Sequence, residues 1–154
     1  MAEACDDETL AVLEARLDEW LGDLDAGYEH IIAIDRDDGD VVRWYVRMRG
    51  EEKDFTTVWL TLGQRTLRYE TYVMPAPEEN DVVLYENLLR RNDRLVGAHF
   101  SIGVENAVFL RGEVPAATIT KDDVDQLLGV LYATVETTFG SLLRIGFASR
   151  FTGE

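Results

Sequence analysis

VVRWYVRMRG, Val41 to Gly50, alternates two kinds of side chain: Val42, Trp44, Val46 and Met48 share one parity, and Arg43, Tyr45, Arg47 and Arg49 share the other. A period of two belongs to a β-strand with one face turned to a core. The fold depends on what this strand pairs with. Glu29–Arg36 precedes it across Asp37-Asp38-Gly39-Asp40, residues that favour a tight turn.

A one-residue slip sends every side chain of a strand to the wrong face, so the apolar pattern tests the register. A two-residue Asp38-Gly39 turn sets Ala33 opposite Trp44 and Ile34 opposite Arg43, which mixes the faces. A three-residue loop with Gly39 in a bulge sets Ile34 opposite Val42, Ile32 opposite Trp44 and His30 opposite Val46. The second register is expected. It pairs Glu29 with Arg47, Ile31 with Tyr45, Ala33 with Arg43 and Asp35 with Val41 on the other face.

Outward from this hairpin, Phe55–Leu62 and Thr66–Met74 read as two further strands, separated by turns at Gly50–Asp54 and Gly63–Arg65. Short connections imply antiparallel neighbours. Val58, Leu60, Leu62, Leu67, Tyr69 and Val73 extend the core face, and Pro75 and Pro77 end the sheet segment. Before the strands, Leu10, Leu13, Leu17, Trp20, Leu21 and Leu24 recur at helical spacing, with Asp6 or Asp7 as cap.

After them, Asn80 or Asp81 starts a helix whose apolar side is expected to be Val82, Tyr85, Leu88, Leu89 and Leu95, with Gly97 at its end. Ala98–Gly103 and Ala107–Arg111 form a hairpin that matches Phe100 and Ile102 with Val108 and Leu110. Thr120 and Asp123 form a capping box for a long last helix striped by Val124, Leu127, Leu128, Leu131, Val135, Phe139 and Leu142. The expectation is an α+β chain of order α-β-β-β-β-α-β-β-α. A short acidic leader at residues 1–8 precedes a single domain over residues 9–150.

The bulk composition narrows the function. Of 30 acidic residues, 14 lie in residues 1–42 against only Arg16 and Arg36, and the whole chain carries a formal charge of −15. Such a field repels phosphate backbones, so no nucleic-acid partner is expected. Cys5 is the one cysteine, which leaves no disulfide framework or thiolate metal cluster. No apolar run approaches the roughly 20 residues that span a bilayer, and the first residues are acidic where a signal peptide is basic and then apolar. A cytoplasmic protein without membrane attachment is expected.

Chemical motifs fail on spacing. Starting at Asp35, the sixth and twelfth positions of a calcium loop would be Asp40 and Val46 rather than glycine and a carboxylate. His30 and His99 lack companions at metal-ligand spacing, so no metal site is expected. His99 and Ser101 share a strand face, but a nucleophile also needs a group that orients its base. Gly63-Gln64-Arg65-Thr66, Gly103-Val104-Glu105-Asn106 and the stretch from Phe139 to Gly146 match no phosphate loop. Glu51-Glu52, Glu78-Glu79 and Asp122-Asp123 fall at turns or helix starts, where solvation explains them. Neither catalysis nor a cofactor is expected.

What remains is the second face of the sheet. Arg43, Tyr45, Arg47, Arg49, Trp59, Arg68 and Tyr72 mix arginines with aromatic rings, the composition enriched at protein interfaces. Two readings stand: helices of the same chain cover this face, or a protein partner does.

The stretches RWYVRMRGEEKDFTTVWLTLGQRTLRYETYVMPAP, VVLYENLLRRNDRLVGAHFSIGVENAVFLRGEVP and ITKDDVDQLLGVLYATVETTFGSLLRIGF resemble the YbjN-domain family, described as bacterial sensory transduction regulators. The resemblance implies a fold related to the type III secretion chaperones, which are small, acidic, usually dimeric, and bind extended segments of a client protein. Four strands here precede the middle helix, where those chaperones have three. The missing catalytic motifs, the mixed face and this resemblance together lead to the expectation of a non-catalytic, chaperone-like or regulatory module that engages another polypeptide and can self-associate as a homodimer. A small-ligand sensor or enzyme, with a pocket between sheet and helices, is the alternative.

Overall fold

The computed structural model describes residues 2–152. Helix α1 (Asp7–Gly27) begins where the Thr9 backbone N–H donates to Asp6 Oδ1 at 2.8 Å, and it turns Leu13, Leu17, Leu21 and Leu24 inward. Strands β1 (Ile31–Arg36), β2 (Arg43–Arg49), β3 (Phe55–Leu62) and β4 (Thr66–Met74) follow, then α2 (Asp81–Asn92). Strands β5 (His99–Ile102) and β6 (Val108–Pro115), α3 (Lys121–Gly146) and the short α4 (Ser149–Thr152) complete the chain. The capping box at Thr120 and Asp123 is formed on both sides.

The six strands make one antiparallel sheet of order β1-β2-β3-β4-β6-β5, so β1 and β5 are its edges. Trp44, Val46, Met48, Val58, Leu60, Leu67, Tyr69 and Val73 are all buried, in one core with Leu17 and Leu21 of α1 and Leu131 and Leu142 of α3. The helices thus lie on one side of the sheet.

Two expectations are corrected. Ile34 faces Val46 and Arg36 faces Trp44, so β1 is displaced by four residues from the register in which Ile34 meets Val42 and Glu29 meets Arg47. Ala33, not Glu29, lies opposite Arg47, and Asp35 lies opposite Tyr45. An even displacement keeps the face of every side chain, so the apolar pattern cannot exclude it. Asp37 sets the longer connection: one carboxylate oxygen accepts the Gly39 N–H at 2.8 Å and the other accepts the Tyr45 hydroxyl at 2.7 Å. Further along β1, a bulge between Ile31 and Ala33 reverses the parity, leaving Ile31 6% exposed and Ile32 39% exposed.

The second correction concerns α2. Leu84 and Leu88 are its buried residues, whereas Val82 and Leu89, expected inside, are 76% and 70% exposed. The helix packs chiefly on α3 and β5. A stripe one turn apart, flanked by the half-buried Tyr85 and Leu95, satisfies that narrow contact and leaves Val82 and Leu89 outside it. The second hairpin is as expected, with Phe100 opposite Leu110 and Ile102 opposite Val108.

The β2–β3 connection is tied to α3 by one side chain. Glu136 accepts the backbone N–H groups of Glu51, Glu52 and Lys53 at 2.5, 3.2 and 3.1 Å. Partial burial opposes its ionisation, but these three donors outweigh that effect and hold the carboxyl below the ordinary glutamate range. Glu136→Ala should lower stability at neutral pH by about 1–3 kcal/mol, since it removes backbone hydrogen bonds to a charged side chain that ties the turn to α3. A depressed folded-state pKa gives stability that is present above the unfolded value and lost as pH falls through the folded one. The difference between wild type and variant, from urea unfolding, should therefore shrink as pH drops below the unfolded glutamate value of about 4.3.

Candidate functional site

The sheet face away from the helices carries the alternate residues of β2, β3, β4 and β6. Directly paired positions place Tyr45 beside Trp59, Trp59 beside Glu70 and Glu70 beside Arg111. Parallel rows place Arg49 beside Phe55 and Tyr72 beside Phe109. Arg43, Tyr45, Arg47, Arg49, Trp59, Arg68 and Tyr72 are all on this surface, whereas Ile31, expected beside Tyr45, is turned into the core by the bulge; among the described residues no helix covers Phe55, Trp59 or Tyr72, which are 39%, 37% and 42% exposed.

Part of the face is knitted together internally. Arg43 Nε donates to Thr61 Oγ1 at 2.9 Å, and its guanidinium carbon lies 5.8 Å from the Trp59 ring centroid. Tyr45 packs edge-on against Trp59 at 6.2 Å, with its hydroxyl committed to Asp37. That bond is the leading reason the Asp37 carboxyl sits below the usual aspartate range, followed by the Gly39 N–H. Glu70 receives Arg111 at 2.9 Å and lies 3.9 Å from Arg68. Such cross-strand pairs and exposed cation–π contacts contribute about 0.2–1 kcal/mol each.

Other groups are left open. Arg47 stacks on Phe55 at 4.1 Å, and neither Arg47 nor Arg49 has a carboxylate partner among the described residues. Two guanidiniums beside three exposed rings present flat apolar area with positive charge at its rim. This arrangement suits hydrogen bonding and stacking against another chain, since aromatic and arginine side chains are enriched at interface hot spots.

Sequence reading missed Phe109, Arg111 and Lys53. With Val108 and Leu110 in the core, strand alternation already assigns Phe109 and Arg111 to this face. Lys53 comes from a turn, where no alternation applies. Its ammonium donates to the Tyr72 carbonyl at 2.7 Å and lies 5.4 Å from the Tyr72 ring centroid, with burial pulling its pKa below the ordinary lysine value.

The histidines are separated. His30 lies between Tyr28 and Tyr132, at 5.4 and 4.6 Å, while His99 is exposed on β5. The Ser101 hydroxyl accepts Arg111 Nη1 at 2.9 Å. Among the described residues, no group of three or more His, Cys, Asp or Glu could hold a metal ion, and no helix is long and apolar enough to cross a membrane.

Three solved structures share the fold. The ExsC–ExsE complex aligns with TM-score 0.60 at 18% identity, covering 84% of this chain and 96% of the matched one. The heterodimeric ExoU–SpcU complex from the type III secretion system of Pseudomonas aeruginosa aligns with TM-score 0.55 at 12% identity, covering 81% and 95%. The Yersinia pestis type III secretion chaperone SycH, in complex with a fragment of YscM2, aligns with TM-score 0.54 at 15% identity, covering 81% and 98%.

Among curated sequences, an uncharacterized protein of Mycobacterium tuberculosis is 33% identical over 109 residues, 71% of this chain and 60% of the relative. One from Mycobacterium leprae is 31% identical over 114 residues, 74% of this chain and 62% of the relative. The matched region thus spans about three fifths of the length of these relatives. The family model YbjN, described as "Putative bacterial sensory transduction regulator", matches residues 14–144, and with that match over the body of the sheet and its helices the chain belongs to the YbjN family.

Proposed function

We propose that this protein is a non-catalytic, chaperone-like or regulatory module of the cytoplasm that binds an extended segment of another polypeptide on the open face of its sheet. One observation carries the reading: Phe55, Trp59 and Tyr72, with Arg47 and Arg49, stand exposed on a six-stranded sheet whose helices all lie on the other side. The partner segment would combine apolar or aromatic residues with carboxylates. Its carboxylates would meet Arg47 and Arg49, and its apolar side chains would lie over the rings. Structural similarity to proteins solved with bound polypeptides supports the reading.

Self-association is a separable part of the proposal. Val82, Leu89 and Ile102 are exposed along the α2–β5 edge, where β5 has a strand on one side only, and a second copy could cover them.

The test places a photo-crosslinking residue at Trp59 in the living cell, identifies the captured segment and remakes it as a peptide. Trp59→Ala and Arg47→Ala should each weaken peptide binding about tenfold or more, the scale of hot-spot residues. Thermal stability should stay within about 0.5 kcal/mol for Arg47→Ala, while Trp59→Ala should lose up to about 2 kcal/mol with its contacts to Tyr45 and Arg43. Affinity unchanged from wild type in both variants would refute a sheet-face site. Sedimentation of the same samples over a concentration series reads self-association.

A further inference from the structure

A second feature is independent of the sheet face. Between the end of α2 and the middle of α3 lies a groove of about 520 Å³, lined by Arg90, Arg91 and Arg94, Phe100 of β5, and Thr134 and Thr137 of α3. Arg94 belongs to the turn that closes α2, where its N–H and that of Leu95 both donate to the Arg91 carbonyl. Three arginines about one helical turn apart thus border the same groove.

Their charge is only partly answered. Arg90 pairs with Glu86 at 3.2 Å, but both side chains are largely exposed and the pair is weak. Arg91 has only neutral partners, Asn87 Oδ1 at 2.6 Å and Ser141 Oγ at 3.3 Å. The Arg94 side chain makes no hydrogen bond or ion pair among the described residues. In a chain with 30 acids and 15 bases, neither Arg91 nor Arg94 has a carboxylate. The helix dipole favours cations at this end of α2, which accounts for basic residues here but not for a roomy cleft between them and α3.

The opposite wall is suited to a ligand. Thr134 keeps its hydroxyl proton free of any partner among the described residues, and Asn87 retains its amide N–H groups when its oxygen accepts Arg91. Leu95, Phe100 and Ala133 supply an apolar surface. The volume falls within the roughly 300–1,000 Å³ typical of small-molecule sites.

We infer that this groove binds a small soluble phosphomonoester with an apolar or planar body. The two uncompensated guanidiniums match the two charges of the phosphate, arginine forks suit its oxygens, and the organic part lies against Leu95 and Phe100. The inference stands whether or not the sheet face binds a polypeptide.

Isothermal titration with phenyl phosphate, AMP and glycerol phosphate tests it, with adenosine as the uncharged control and backbone amide NMR shifts as the map. At least one ester should bind with 1:1 stoichiometry and shift the Thr134 and Thr137 amides, and adenosine should not. Arg94→Ala should weaken that binding about tenfold without changing the thermal midpoint, because Arg94 holds nothing else. Arg91→Gln should weaken it similarly, and Arg16→Ala, on the exposed side of α1, should not. Failure of all three esters at millimolar concentration would overturn the inference. So would full affinity in Arg94→Ala, shifts confined to the sheet face, or binding only to phosphatidic acid vesicles.

Discussion

Trp44→Ala should destabilise the protein by about 3–5 kcal/mol, the usual cost of removing a buried tryptophan side chain. That is a large share of the roughly 5–15 kcal/mol that holds a typical domain folded. Trp44 is 1% exposed near the start of β2, and its indole N–H donates to Asp18 Oδ1 on α1 at 2.7 Å. Arg36 donates to both oxygens of the same carboxylate at 3.1 Å and lies 4.8 Å from the indole centroid. This cluster fixes α1 against the first hairpin, so urea unfolding should show the loss with its cooperativity intact. Trp44→Phe should cost less, because the ring's bulk stays and Asp18 keeps Arg36 and solvent. Asp18→Ala should cost about 1–3 kcal/mol, because it strands the buried indole N–H. If Trp44→Ala cost less than Asp18→Ala, the polar clamp rather than the packed ring would be what joins helix to sheet.

How much of this was legible in sequence depends on the kind of signal. The alternation in Arg43–Arg49 assigned Trp44, Val46 and Met48 to the core, and each is buried. The stripe of α3 and its capping residues were equally direct, because both depend on neighbours along the chain. The four-residue displacement of β1 was not legible, since it leaves the faces unchanged and is set by Asp37 reaching Tyr45. Nor was the burial of Leu84 in preference to Leu89, because a short helix packed on one side does not need all its apolar residues. The residues of the candidate face were readable from parity. Their exposure was not, because it depends on which side of the sheet three distant helices choose.

The strand that ended too soon in sequence points to the second large effect. The hairpin was expected to end at Arg111, just before Gly112, a residue type that weakens strand interiors, yet β6 continues to Pro115. Gly112 lies directly opposite Tyr69, which is 2% exposed and whose hydroxyl donates to the Gly97 carbonyl at 2.5 Å. A Cβ at position 112 would stand 2.5 Å from Tyr69 Cε2 and 2.6 Å from the Gly97 oxygen. Neither obstacle is the loose end of a flexible chain. Gly112→Ala should therefore cost about 3 kcal/mol, the upper part of the range for overpacking a core. Tyr69→Leu removes the ring and frees the Gly97 carbonyl to shift, so Gly112→Ala should cost less in that background, with a coupling of about 0.5–3 kcal/mol in a double-mutant cycle. An undiminished cost would place the obstacle in the Gly97 backbone alone. A reduced one would mean that the residue that hides the strand from sequence reading is there to let Tyr69 cross it and pin the turn after α2.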